Sequence, residues 1–423
     1  MIPTPHQFTT VPYKAVGAPD GGSLAVSKNF PAIRKTGAQS ETTIAVDPTN
    51  PSHMLAASND LSTFSSFNNV VESFNRGKTW VSAGLSVATF CYDPWLAFNA
   101  NGDAFFAYEC NPDQRIAYRK VGQVAWTHAT LQGSALFPDR DAVVVDKNAG
   151  SPRLGSVYIG YDEAGASNAA HVWYSLDGFG GWAKSPKIND AGGTIGVNPA
   201  TGPDGTLYTV WEDWAAKKIF VDKSSDGGAT WGTDHTVTNY RLATGSFFIC
   251  IPPQPDRCVV PMPFSAVDNS GGLHNGRLYV TYPDKDPVAA DWNVYVRFSD
   301  DGGATWSAEK KVNDDVGGYQ FFPAISVAPN GTVAVSFYDT RDDNALDHKT
   351  NRYVSFSTDG GNTWSPNEKV SSAQSDESGP GDANDYGDYE GSDASSTNFF
   401  QLVWTDSRPV LIAEDVVNAS VKH

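Results

Sequence analysis

The chain has 423 residues, room for two ordinary domains or one large repeat array, with 12% aromatic residues, 39 glycines and 26 prolines. A formal net charge of −18 argues against nucleic acid and anionic membrane surfaces as partners. It leaves an acidic sugar open as a ligand, because a local arginine cluster outweighs distant charge screened over about 10 Å. No apolar run approaches the roughly 20 residues that span a bilayer. The opening Met1-Ile2-Pro3-Thr4-Pro5 lacks an export pattern, so any such signal is expected to have been removed.

Helical periodicity is sparse, and the Gly and Pro content suits short strands joined by tight turns. One pattern recurs along the chain: an apolar strand, a Gly turn, and a second strand ending in an aromatic residue followed by an acid. It covers residues 43–60, 94–109, 141–162, 197–213, 264–284, 323–339 and 391–406. Seven copies in 423 residues give a unit of about 60, enough for four strands and their loops.

A second pattern is offset from the first. Residues 224–231, 299–306 and 357–364 read Ser-x-Asp-Gly-Gly-x-Thr-Trp, and residues 73–80 and 175–182 are degraded copies, the first with Asn75 in place of Asp. Asp accepts backbone N–H groups, Gly supplies positive φ, and Trp folds back on the sheet, so each is a hairpin turn. The second unit keeps only Trp126, and the seventh lacks a box. Residues 8–13 are expected to supply the outer strand that closes a ring and removes its edge. Residues 233–262 and 371–386 read as loops. Cys91 with Cys110, and Cys250 with Cys258, are expected to form two disulfides of an exported protein; buried thiols are the alternative.

The expectation is an all-β single domain over 1–423, a seven-bladed β-propeller with Asp-box hairpins. A six-bladed ring with an insertion, or a β-sandwich plus extra domains, is the alternative. The boxes resemble the bacterial neuraminidase repeat, or Asp-box, of the sialidase-like propeller superfamily. That resemblance implies the fold strongly and the reaction weakly, since members include sialidases, other glycan-cleaving enzymes, lectins and receptors. A sialidase's early Arg-Ile-Pro motif is absent; residues 30–34 read Phe-Pro-Ala-Ile-Arg. The family's catalytic set therefore does not transfer.

In a propeller, residues entering the first strand and leaving the second face one axial mouth. Asp93, Asp141 and Glu212 are candidate general acids or bases there. Tyr389 is a candidate nucleophile, or else a hydrogen-bonded Tyr of the crowded axis. Arg140, Arg341 and Arg408 each stand beside an acid. They read either as a clamp for a substrate carboxylate or as pairs with their neighbours. Trp95 and Glu41 complete the sugar-binding face. No cofactor is required, but Ca²⁺ is possible in two acidic loops, one with Asp339 and Asp342, the other with Asp385 and Asp388. Asn330 and Asn418 begin sequons that a eukaryotic source would offer for glycosylation. The functional expectation is a secreted or periplasmic monomer acting on an oligo- or polysaccharide. It would be an exo-acting glycoside hydrolase or polysaccharide lyase, with an acidic sugar such as a sialate or uronate as the candidate substrate. The alternative is a non-catalytic, lectin-like or protein-binding propeller.

Overall fold

The computed structural model describes residues 25–423 apart from 36, 62–66, 88–89, 132–136, 242–247, 290, 344–345, 379–384 and 409–413. Each copy of the strand–turn–strand pattern forms the first two strands of one antiparallel blade, and the Asp boxes lie beyond the third. The inner strands are Gln39–Val46, Cys91–Phe98, Pro138–Val145, Thr194–Thr201, Phe264–Val267, Gln320–Val327 and Ser392–Ala394, in blades 1 to 7. They contact one another in cyclic order, and the last packs against the first. The molecule is thus a seven-bladed β-propeller, and its one helical element among the described residues is the 3-10 turn Ala164–Ala166.

Closure uses both chain ends. In blade 7, Phe399–Asp406 pairs with Asp415–Lys422, and the latter takes Ala25–Val26 and Phe30–Ile33 as its outer partners. Residues 8–13, expected in that role, lie outside the described residues. The stretch 233–262, expected to be a loop, instead holds the fourth strand of blade 4, His235–Asn239, and a hairpin, Ile249–Ile251 with Gln254–Val259. Both expected disulfides form. Cys91 and Cys110 are register partners in blade 2, and Cys250–Cys258 staples the hairpin.

Among the described residues the apolar side chains form several cores, as faces of successive blades pack together. Leu55, Ala57 and Val70 of blade 1 meet Leu96, Phe98 and Phe106 of blade 2. Phe105 and Ile116 on the other face of blade 2 meet Val143 and Ile159 of blade 3. The boxes act as the sequence implies. Ser299 Oγ donates to Asp301 and accepts the Gly303 N–H, both at 2.8 Å, and Trp306 Nε1 donates to the Gly303 carbonyl at 3.1 Å. The degraded box of blade 1 gains a second use: Trp80 Nε1 donates to Asn418 Oδ1 of blade 7 at 2.9 Å. Asn418 is fully buried, so it is no glycan acceptor in the folded protein.

Candidate functional site

A shared backbone irregularity builds the mouth. In blades 1, 2, 3, 4 and 6 the third residue of the inner strand lies in the left-handed region: Glu41, Asp93, Arg140, Gly196 and Phe322, with φ of 57°, 52°, 62°, 71° and 44°. The register to the second strand slips at each of these places. Such a bulge re-aims one side chain per strand. Glycine adopts it freely, whereas an L-residue there costs about 1–2 kcal/mol. In blades 1 to 3 the re-aimed side chains are a Glu, an Asp and an Arg.

These groups meet the start of blade 7 and the stapled hairpin. Arg257, on the hairpin, donates to Glu41 at 2.7 Å and grips Asp388 through Nε at 3.0 Å and through Nη2. Arg140 reaches the same Asp388 at 3.5 Å, with its guanidinium 4.4 Å from the Tyr389 ring centroid and 2.8 Å from Met262 Sδ. The Arg140 N–H donates to Asp93 at 3.0 Å. The hairpin is fixed from below: Asp385 accepts the N–H groups of Asp256 and Arg257 at 2.9 Å, and Gln254 donates to the Gly387 carbonyl at 2.6 Å. Trp95 lies 5.2 Å from Tyr389 and 6.3 Å from Phe264, ring to ring, and floors the mouth.

The electrostatics divide sharply. Burial works against the Asp388 carboxylate, but Arg257 and Arg140 outweigh it and hold the group down at about 2. Glu109, Asp141 and Asp162 are pushed well above the usual range, chiefly by burial and then by neighbouring carboxylates. Burial and Asp93 raise Asp139 to about 6. Toward the opposite end of the axis, beyond Trp95, lies a cavity of about 410 Å³. Thr43, Asn198, Ser265, Ser326 and Asp393 are among its lining groups. It is the roomier space, but Asp393 is engaged by the Val46 N–H at 2.8 Å, and the arginine–carboxylate chemistry sits at the mouth.

Residues 266–385 match the model of the BNR repeat-like domain. That match spans under a third of the chain, and the fold around it is the seven-bladed β-propeller described above. No curated protein sequence matches it. Among solved structures, an ulvan lyase described as a new polysaccharide lyase family superposes with a TM-score of 0.52 at 9% identity, over 92% of this chain and 95% of that one. A fungal alcohol oxidase of the AA5 family, in complex with copper, gives 0.55 at 9% identity over 94% and 76%. The α-L-arabinofuranosidase of Fusarium graminearum, solved with arabinobiose, gives 0.46 at 14% identity over 78% and 92%. Such identities speak to fold alone.

Within the propeller, Glu41, Asp93, Trp95, Arg140, Asp388 and Tyr389 come together, and Asp141 lies against them, fully buried and accepting from Gln114 at 3.0 Å. Tyr389 is 1% exposed and donates to the Pro94 carbonyl at 3.2 Å. Glu212 stands apart in blade 4, where it accepts the Tyr240 hydroxyl at 2.6 Å. The three arginines expected as a clamp do not converge. Arg341 is held by Asp339, Asp314 and Asn367, at 2.7–2.8 Å, and Arg408 by Asp406 and Ser372. Each followed its nearest carboxylate, which is the cheaper arrangement for a buried cation. The expected calcium ligands are each engaged by other groups. Asp339 serves Arg341, Asp342 accepts from Lys369, Tyr353 and Asn351, and Asp385 and Asp388 hold the hairpin. Arg257 escaped the sequence reading; its one signal was its place in a loop bracketed by two cysteines.

Proposed function

We propose that this propeller is a secreted glycan-active enzyme, acting as an exo-glycosidase or lyase on a chain that ends in an acidic sugar. The observation that carries this reading is the convergence of Arg140 and Arg257, from unrelated parts of the chain, on the single carboxylate of Asp388, with Arg140 over the Tyr389 ring and Trp95 next to that ring. Two guanidinium groups already arranged around a carboxylate suit a uronate or sialate carboxylate taking its place. An indole face nearby suits a sugar ring. Asp388, displaced from its arginines, and Glu41 would then flank the sugar as the proton-transfer pair, with Asp93 and Asp141 beneath. Tyr389 supports Arg140 through its ring. The two disulfides favour an oxidising, extracellular setting, and a monomer is expected.

The test is a panel of uronate-containing polysaccharides, sialosides and neutral arabinan incubated with the full chain. New reducing ends and the ultraviolet signal of an unsaturated uronate are measured. Turnover of an acidic glycan, reduced by about 100-fold or more in Arg257→Ala, is expected. Acidic glycans that bind without product would favour the lectin-like reading, and turnover confined to neutral glycans would remove the role given to the arginines.

A further inference from the structure

Beneath Arg140 the propeller carries more buried negative charge than its own cations neutralise. Asp93, Glu109 and Asp139 each place a carboxylate oxygen so that all three lie within 4.8 Å of one another. None of the three forms an ion pair among the described residues, and Arg140, the nearest cation, turns its guanidinium to Asp388, Met262 and the Tyr389 ring. Glu109 is 5% exposed, and its Oε2 has no hydrogen-bond partner among the described residues. A buried carboxylate oxygen left in this state costs about 1–3 kcal/mol or more. At the equivalent position, one residue before the end of the second strand, blade 6 has Tyr338 and blade 4 has Glu212, which accepts the Tyr240 hydroxyl at 2.6 Å. Blade 3 has Asp162, which lies near this same cluster and whose oxygens likewise have no hydrogen-bond partner among the described residues.

We propose that Asp93, Glu109 and Asp139 form a binding site for one hard divalent cation, Ca²⁺, at the base of the mouth between blades 2 and 3. The donors are all carboxylate oxygens, with no imidazole or thiolate, which selects against zinc and copper. Calcium, at about 2.3–2.6 Å from each ligand, accepts six to eight oxygens in a flexible shell, whereas magnesium demands a near-ideal octahedron. Three oxygens within 4.8 Å of one another, with further carboxylates near them, suit the more permissive ion. Asp162, the register partner of Asp139, and Asp141 are further carboxylates around the same point, and water would complete the shell. The site differs from the two acidic loops expected from sequence, whose carboxylates are taken by side-chain cations and backbone N–H groups.

Calcium binding is measured on the full chain without any glycan, so it stands or falls separately from the proposed activity. EDTA-stripped protein is titrated with CaCl₂, and in parallel with MgCl₂, by isothermal calorimetry, and thermal unfolding is followed with and without millimolar cation. One calcium per chain and a rise of several degrees in the unfolding midpoint are expected. Glu109→Gln and Asp139→Asn, each checked for native circular dichroism, are expected to weaken binding at least tenfold. Asp342→Asn, in one of the other acidic loops, leaves it unchanged. Absence of heat and of any thermal shift overturns the proposal. So does a response to MgCl₂ alone, or wild-type affinity in either ligand variant.

Discussion

Glu41 and Arg257 are 216 residues apart in the chain and 2.7 Å apart in the folded protein. Glu41 is the bulged residue of the first inner strand, and Arg257 is on the hairpin inserted between blades 4 and 5. Their contact, shared with Asp388, fastens that hairpin across the axis. Glu41 is 2% exposed, so losing Arg257 leaves a buried carboxylate with Asn59 as its remaining donor among the described residues. Arg257→Ala is expected to cost about 1–3 kcal/mol. This falls below the full penalty for a broken buried pair because the arginine side chain is itself one-third exposed. Equilibrium urea unfolding reads the change, and a variant as stable as wild type would show that the hairpin is not fastened there.

The Asp boxes carry a separate expectation. Ser299 Oγ is the acceptor for the buried Gly303 N–H, and Gly303 has φ of 89° with Val221 only 3.0 Å from where a Cβ would stand. Ser299→Ala removes the acceptor while leaving the turn otherwise intact, at a cost of about 1–3 kcal/mol. Ser73→Ala is expected to show a similar loss, because the degraded box of blade 1 keeps the same Ser–Gly bond, at 2.9 Å. Paired denaturation curves test both, and a negligible effect in either would mean that the box Ser is not a structural acceptor.

The repeats made the ring legible because local chemistry recurs from blade to blade: a Gly turn inside blades 2 to 6, and a Ser-led turn closed by Trp outside blades 1 and 3 to 6. Residues such as Asp93 and Arg140 were found because they enter an inner strand. Their left-handed backbone was hidden, since only Gly196, at the equivalent position of blade 4, hints at it. Arg341 and Arg408 looked equivalent to Arg140 by spacing, but local carboxylates captured them. The missing partner, Arg257, arrives through a long-range fold of an insertion, which no periodicity encodes. Glu109 closes one copy of the strand–turn–strand pattern, but its meeting with Asp139 joins two blades, and proximity of that kind is a property of the closed ring.

Gly387 tests how tightly the mouth is set. Its φ is 76°, and a Cβ there would stand 2.7 Å from Glu41 Cγ and 2.9 Å from Ser40 Cβ. Its carbonyl also accepts from Gln254 of the hairpin at 2.6 Å. Gly387→Ala therefore strains the backbone by about 1–2 kcal/mol and pushes blade 7 away from blade 1, carrying Asp388 with it. Stability is expected to fall, and limited proteolysis is expected to cut near residues 249–259 sooner than in wild type. An unchanged cleavage pattern would separate the hairpin's seating from that of the blade 7 loop.

Glu212 supplies the pH dependence least entangled with the mouth. Burial raises its carboxyl to about 8, although the Tyr240 hydroxyl bond at 2.6 Å favours the ionised form. Unfolded, the same group titrates near its ordinary value of about 4.3. Between those two values the folded state holds the proton more tightly, so the native state is progressively destabilised as pH rises, by up to about 1.4 kcal/mol per pH unit. Below the lower value both states are protonated and the contribution is flat. Glu212→Gln keeps an acceptor for Tyr240 and removes the titration, at a fixed cost for its extra amide hydrogens that does not change with pH. The stability of the variant minus that of wild type is therefore expected to climb from pH 5 to pH 8. Unfolding free energies measured across that range decide it. A constant difference between the two proteins would mean that Glu212 is already ionised in the native fold.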